Sequence, residues 1–232
     1  MLQVEQLHQY YGSSHTLRGI SLSVSKGECL ALLGRNGVGK TTLLKCLMGV
    51  LPASEGRVSF DGRDITRLAP HVRAARGMAY VPQGRDIFAR LSVEENLLMG
   101  MAVKKGSQAG RIDEQVFELF PVLKEMLQRR GGDLSGGQQQ QLAIARALLA
   151  EPKLIIFDEP TEGIQPSVIK DIGRVIALLK QRGDMAIVLC EQYFDFAREL
   201  ADQFVVLSRG SVVASGNAAQ MDGDDVRRHL AV

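Results

Sequence analysis

Apolar and polar positions along the chain follow two periods, and the switch between them outlines the fold. Residues 20–24 alternate and residues 29–33 are apolar throughout, with Lys26-Gly27-Glu28 as a tight turn between them. With 2–8, these runs predict three short strands. A glycine-rich stretch at 34–39 leads into a helix over about 40–49. Pro52-Ala53-Ser54-Glu55-Gly56 breaks the chain. Residues 57–60 ahead of Asp61-Gly62 then predict a strand entering a hairpin, and 78–81 a further strand. From 84 to 150 the period becomes helical. Ser92-Val93-Glu94-Glu95 fits a capping box, 111–120 and 122–128 carry helical periodicity, and 137–149 reads as a helix ending before Pro152. Strands at 154–157, 185–190 and 204–207 then alternate with helices at 166–181 and 194–201, and Pro166 suits a first helical turn.

Strand–helix alternation of this kind predicts an α/β fold with a mostly parallel sheet covered on both faces. The stretch 84–150 interrupts it as a mostly helical insertion. Residues 1–83 and 151–232 make up the rest of a single domain, a size that 232 residues allow. Hydrophobic residues form 45% of the chain, enough for a full core. Net charge is +2, from 28 basic and 26 acidic side chains, which leaves no electrostatic footprint for nucleic acid. Cys29, Cys46 and Cys190 lie in apolar segments without a C-x-x-C pair, as reduced core thiols of a cytosolic protein would. The N-terminus lacks a basic and apolar leader pattern, and no apolar run approaches the ~18–20 residues of a membrane span.

Chemistry enters at Gly34-Arg35-Asn36-Gly37-Val38-Gly39-Lys40-Thr41, which fits G-x-x-x-x-G-K-[ST]. Glycines let successive backbone N–H groups converge on phosphate oxygens, and the following helix adds its positive end. Lys40 places an ammonium near the outer phosphates, the Thr41 hydroxyl can ligate Mg²⁺, and Thr42 can add a hydrogen bond. A chance match in a chain of this length has a probability of about one in a hundred, and the strand before and helix after lower it further. Leu154-Ile155-Ile156-Phe157-Asp158-Glu159 puts two carboxylates at the end of a buried strand, where ligands of parallel sheets sit. Asp158 would hold Mg²⁺, directly or through water. Glu159 would orient or deprotonate the attacking water. Alone, the pair reads equally well as a cap before a turn. Leu134-Ser135-Gly136-Gly137-Gln138 supplies a second helix start able to hold an anion, which suggests that two chains share nucleotides.

Taken together, the phosphate loop at 34–42, L-S-G-G-Q at 134–138 and I-I-F-D-E-P at 155–160 resemble the nucleotide-binding subunit of an ATP-binding cassette (ABC) transporter, along essentially the whole chain. The resemblance implies a P-loop ATPase fold with an N-terminal antiparallel β subdomain and a helical signature subdomain. It implies ATP and Mg²⁺ as ligands, Tyr11 stacking on adenine, and Gln83 contacting Mg²⁺ and water. It implies head-to-tail pairing, so that Leu134, Ser135, Gly136, Gly137 and Gln138 act on the partner's ATP. Without the resemblance, Tyr11 reads as an edge-strand aromatic. The implied partners are a second, non-identical ATPase subunit, two transmembrane permease subunits and a periplasmic or extracellular solute-binding protein, with this chain peripheral on the cytoplasmic face of the membrane. The permeases would press a helix into the groove between Gln83 and the helical insertion, at residues 84–98 and the surface near Arg90.

Finer wording is similar to the branched-chain amino acid and urea importer group, and D-E-P-T-E-G-I-Q-P-S-V-I looks most like the second ATPase of the urea importer. Urea is therefore the expected solute, with a branched-chain amino acid as the alternative. Gln192, a candidate catalytic residue, stands where the family usually has a histidine that touches the nucleotide's terminal phosphate, and Gln165 where it has an aspartate. A glutamine amide can donate a hydrogen bond but cannot carry charge or exchange a proton. Both departures fit a subunit of an asymmetric pair. The competing classes are a cytosolic cassette of DNA repair or translation, whose long coiled-coil insertions or second cassette are absent from this chain, and a nucleotide-gated module that binds ATP without hydrolysing it. Glu159 argues against the latter.

Overall fold

The continuous apolar runs are buried on both faces of one sheet. The computed structural model describes residues 1–102 and 111–223, together with Val226 and Arg228. Its strands are β1 (Leu2–Tyr11), β2 (Ser14–Val24), β3 (Cys29–Leu33), β4 (Glu55–Phe60), β5 (Arg63–Asp64), β6 (Met78–Val81), β7 (Leu154–Asp158), β8 (Ala186–Glu191), β9 (Gln203–Ser208) and β10 (Ser211–Asn217). The helices are α1 (Lys40–Leu47), α2 (Pro70–Ala75), α3 (Val93–Gly100), α4 (Glu114–Leu119), α5 (Pro121–Glu125), α6 (Gly136–Leu148), α7 (Pro166–Arg182) and α8 (Phe194–Leu200).

A six-stranded sheet runs β10-β9-β3-β8-β7-β6 and is parallel except for β10, which returns antiparallel beside β9. A four-stranded antiparallel sheet, β2-β1-β4-β5, lies against it. Strand side chains alternate between faces, and this alternation sorts the apolar runs of β7 and β8 into two cores. Leu154 and Ile156 of β7, with Val188 of β8 and Leu30 and Leu32 of β3, share one core with Val4, Leu7 and Ile20 of the small sheet and with Leu43, Leu44 and Leu47 of α1. Ile155 and Phe157, with Ile187 and Leu189, share the other with Leu142 and Ile144 of α6 and Ile172 and Ile176 of α7. Burial of such a side chain is worth about 1.5–3 kcal/mol, so the strand that ends in the acidic pair is clamped from both sides.

Several elements differ from the pattern-based expectation. The first two strands run on through polar residues to Tyr11 and from Ser14, because hairpin pairing supplies their hydrogen bonds despite register shifts. Helices α4 and α5 are shorter than expected, since Asp113 caps the first and Pro121 cannot continue it. Short α2 and edge strand β10 carry no strong period and were not expected. The buried Arg73 of α2 donates to the carbonyls of Cys46 (2.8 Å), Leu47 (2.6 Å), Thr66 (2.9 Å) and Leu68 (2.9 Å). It thereby caps the last turn of α1 and ends that helix before Gly49.

Candidate active site

Residues 34–39 leave β3 and enter α1 in a backbone that only glycine accommodates well. Gly34 has φ 151, and a Cβ there would lie 2.6 Å from the Leu207 carbonyl oxygen. Gly39, the N-cap of α1, has φ 111 and provides no side-chain cap. The first helical bond of α1 runs from Leu43 N–H to the Gly39 carbonyl (2.9 Å), so the N–H groups of Lys40, Thr41 and Thr42 lie ahead of the ladder. With Arg35, Asn36, Gly37 and Val38 they form the loop expected to cradle phosphate.

Lys40 is buried and folded back over this loop. Its Nζ donates to the carbonyls of Gly34 (2.7 Å) and Arg35 (3.0 Å) and pairs with Glu159 Oε1 at 3.2 Å. Glu159 follows β7 in the left-handed region (φ 51), with its N–H donating to the Cys190 carbonyl at 2.9 Å. Its second oxygen, Oε2, accepts from Gln192 Nε2 at 2.6 Å and lies 3.5 Å from Gln83 Nε2, which also donates to Glu162 at 2.9 Å. Glutamine at position 192 therefore does part of what an imidazole could do there: it holds the carboxylate by an N–H bond. The buried Glu191 accepts from the N–H groups of Thr161 (3.1 Å), Gln192 (3.0 Å) and Tyr193 (3.2 Å) and from the Thr161 hydroxyl (2.8 Å). This fixes the loops after β7 and β8 against each other. Burial pushes the Glu191 carboxyl up, and these hydrogen bonds pull it back.

Asp158 ends β7 inside the sheet. Its Oδ2 accepts from the Tyr80 hydroxyl at 2.8 Å, while Oδ1 is buried without a hydrogen-bond partner of good geometry. Burial pushes the Asp158 carboxyl above its ordinary value, opposed by the Tyr80, Cys190 and Thr41 side chains beside it. An unsatisfied buried carboxylate oxygen next to a threonine hydroxyl is a hard oxygen set of the kind Mg²⁺ selects. Ligand atoms of Asp158, Glu159 and Cys190 lie within 4.8 Å of one another. The thiol is no Mg²⁺ ligand, because burial and the adjacent Asp158 raise its pKa well above 9.0 and keep it protonated.

The signature stretch builds a different structure. Ser135 is the N-cap of α6, and its hydroxyl accepts from Gln138 N–H (3.3 Å), while Gln138 Oε1 accepts from Ser135 N–H (2.9 Å). Leu134 is buried, Gly137 gives room to Val168, and Gly136 gives room to the Arg85 guanidinium. Tyr11 is 49% exposed at the hairpin end of β1, opposite Ser14. Thus Lys40, Thr41, Asp158, Glu159, Gln192 and Gln83 come together, while residues 134–138 form a separate helix start. Sequence reasoning missed Tyr80 and Arg85. Y-V-P-Q places a tyrosine three residues before Gln83, which was the only signal for the former.

A phosphate-cradling strand–loop–helix with an acidic pair on the next-but-one parallel strand and a second glycine-rich helix start define a P-loop ATPase of the cassette class. The chain belongs to the ABC transporter family, whose pattern matches residues 17–162. It is 40% identical to the high-affinity branched-chain amino acid transport ATP-binding protein BraG of Pseudomonas aeruginosa, over 95% of this chain and 94% of that one. It is 36% identical to the probable branched-chain amino acid transport ATP-binding protein LivF of Archaeoglobus fulgidus, with the same coverage of 95% and 94%. It is 33% identical to the lipopolysaccharide export system ATP-binding protein LptB of Haemophilus influenzae, covering 97% and 94%. The crystal structure of a nucleotide-free ATP-binding cassette from an ABC transporter superposes with a TM-score of 0.85 at 29% identity, covering 100% of this chain and 95% of that one. The chain is accordingly an ATPase that binds ATP with Mg²⁺ and couples hydrolysis to transport. No helix among the described residues is long and apolar enough to cross a membrane.

Proposed function

We propose that this chain is the ATP-hydrolysing subunit of an importer for branched-chain amino acids, bound peripherally at the cytoplasmic face of the membrane. The observation that carries this reading is the 40% identity to BraG along 95% of the chain, supported by LivF. The expectation of urea gives way to its alternative. It rested on wording around residues 158–169, and an ATPase subunit that never touches the solute records the solute only through kinship. The proposed assembly keeps a second, non-identical ATPase subunit, two permeases and an extracytoplasmic solute-binding protein.

The residues divide the work. Lys40 exchanges its loop carbonyls and Glu159 for the outer phosphates of ATP, which frees the Glu159 carboxylate. Gln192 then holds Glu159 in place to orient and deprotonate the attacking water. Thr41 and Asp158, with Gln83 reaching in from its loop, would hold Mg²⁺, which when bound neutralises charge developing on the phosphates. Ser135 and the N-terminus of α6 would face the ATP of the partner subunit. Tyr11 would stack on adenine.

An apolar groove supports docking of the permeases. It is lined by Met48, Tyr80, Phe88, Met99, Arg146 and Ala147. Phe88 and Met99 are 44% and 48% exposed, and the Arg146 guanidinium carbon lies 5.1 Å from the centre of the Phe88 ring. The test is solute uptake by the assembled transporter in proteoliposomes with ATP inside. Leucine uptake is expected, and Phe88→Asp abolishes it while MgATP binding persists. Uptake of urea without leucine would restore the other solute. A second reading, lipid export, is favoured by the kinship with LptB; ATPase activity stimulated by lipopolysaccharide with no leucine uptake would select it.

A further inference from the structure

Tyr80 belongs to two places at once. It sits on β6, the edge strand of the large sheet, opposite Ile156 of β7. Its side chain lines the apolar groove that also contains Phe88, Met99 and Arg146. Its ring packs on the face of the sheet that carries Leu154 and Ile156 of β7, and its hydroxyl donates to Asp158 Oδ2 at 2.8 Å. The remaining oxygen of that carboxylate, Oδ1, is the buried one without a partner, and Thr41 stands beside Asp158.

We infer that Tyr80 is a positioning residue for the metal-binding carboxylate, and that it carries the state of the groove to the ATP site. The inference rests on the proposed permease docking only in its second half. Holding Oδ2 leaves Asp158 one oxygen, Oδ1, to present to Mg²⁺ in a fixed orientation. Partners of metal-binding carboxylates that act in this way change metal affinity by roughly 10–100-fold when removed. The phenol is rigid, so a helix pressed into the groove against the ring displaces the hydroxyl and Asp158 with it. This route is distinct from Gln83, which is hydrogen-bonded to Glu162. It needs no backbone rearrangement, only a shift of one side chain within a packed wall.

Tyr80→Phe keeps the ring in the groove and removes only the hydrogen bond. On the isolated chain, binding of a fluorescent ATP analogue is followed while Mg²⁺ is titrated, and again in EDTA. The expected result is a rise of about tenfold in the Mg²⁺ concentration at half-saturation, with unchanged binding in EDTA. A shift of less than about twofold, or an equal loss of binding in EDTA, would overturn the positioning role. In the assembled transporter, ATP hydrolysis is measured with and without solute-loaded binding protein at saturating Mg²⁺. Tyr80→Phe is expected to lose most of the stimulation; stimulation equal to wild type would overturn the coupling role. If Phe88→Asp also leaves transport intact, the groove itself is wrong, whereas the Mg²⁺ titration stands independently of that outcome.

Discussion

The chain contains two glycine-rich helix starts of opposite design. Helix α1 begins at Gly39, with no side-chain cap and no acidic residue in its first turn. Helix α6 begins at Ser135 with a complete capping box supplied by Gln138. The first is open at its N–H groups and has a buried lysine folded over it. The second satisfies its own end before any ligand arrives. The difference fits the proposed division between a loop that takes phosphate into its own backbone and a preformed surface that meets a phosphate held by another chain. A capped helix end keeps its shape alone, as a surface completed only by the proposed pairing would need.

The largest effect should come at the open end. Glu159→Gln removes the carboxylate that Lys40 and Gln192 hold, so turnover should fall about 10²–10⁴-fold while ATP binding is kept. Residual hydrolysis near wild type would assign the base elsewhere. At the capped end, Ser135→Ala should cost about 1 kcal/mol of stability in thermal or urea unfolding, with ATP binding to the chain's own loop unchanged. If that binding weakens equally, the two ends are not separate.

Asp158→Asn probes the cost of keeping the open site polar. Burial raises the Asp158 carboxyl, so its contribution to stability is fully present below the ordinary value of 3.8 and is lost as pH rises through the raised one. Without nucleotide and Mg²⁺, the variant should therefore be more stable than wild type near pH 7–8, by about 1 kcal/mol. That gain should shrink as pH falls toward about 4. A gain that grows on acidification would reverse the sign. The smallest effect is expected for Gln192→His. Either side chain can donate to Glu159, so steady-state turnover should change by less than about fivefold, the equivalent of one neutral hydrogen bond. A larger rise would mean that this site is tuned down relative to its partner's.

Contiguous features were legible in the sequence. The loop at 34–42, the acidic pair after an apolar strand and the glycine-rich start of α6 each lie within a few residues, and local backbone chemistry explains them. The fold class followed from apolar period for the same reason, because burial on two faces dictates continuous strands. Short α2 and edge strand β10 escaped, since each is held by neighbours rather than by its own pattern. Gln192 was readable only as a departure from a family slot; its bond to Glu159 shows what the amide does.

Sequence alone thus singled out the groups proposed to bind phosphate and metal, because spacing within one turn or one strand end sets their chemistry. Tertiary structure decided how those groups hold one another. Tyr80 reaches Asp158 across 78 residues and Gln192 reaches Glu159 across 33. No local period records such pairings. They exist because parallel strands bring their carboxyl ends to one edge of the sheet, where side chains distant in the chain share a buried, polar space.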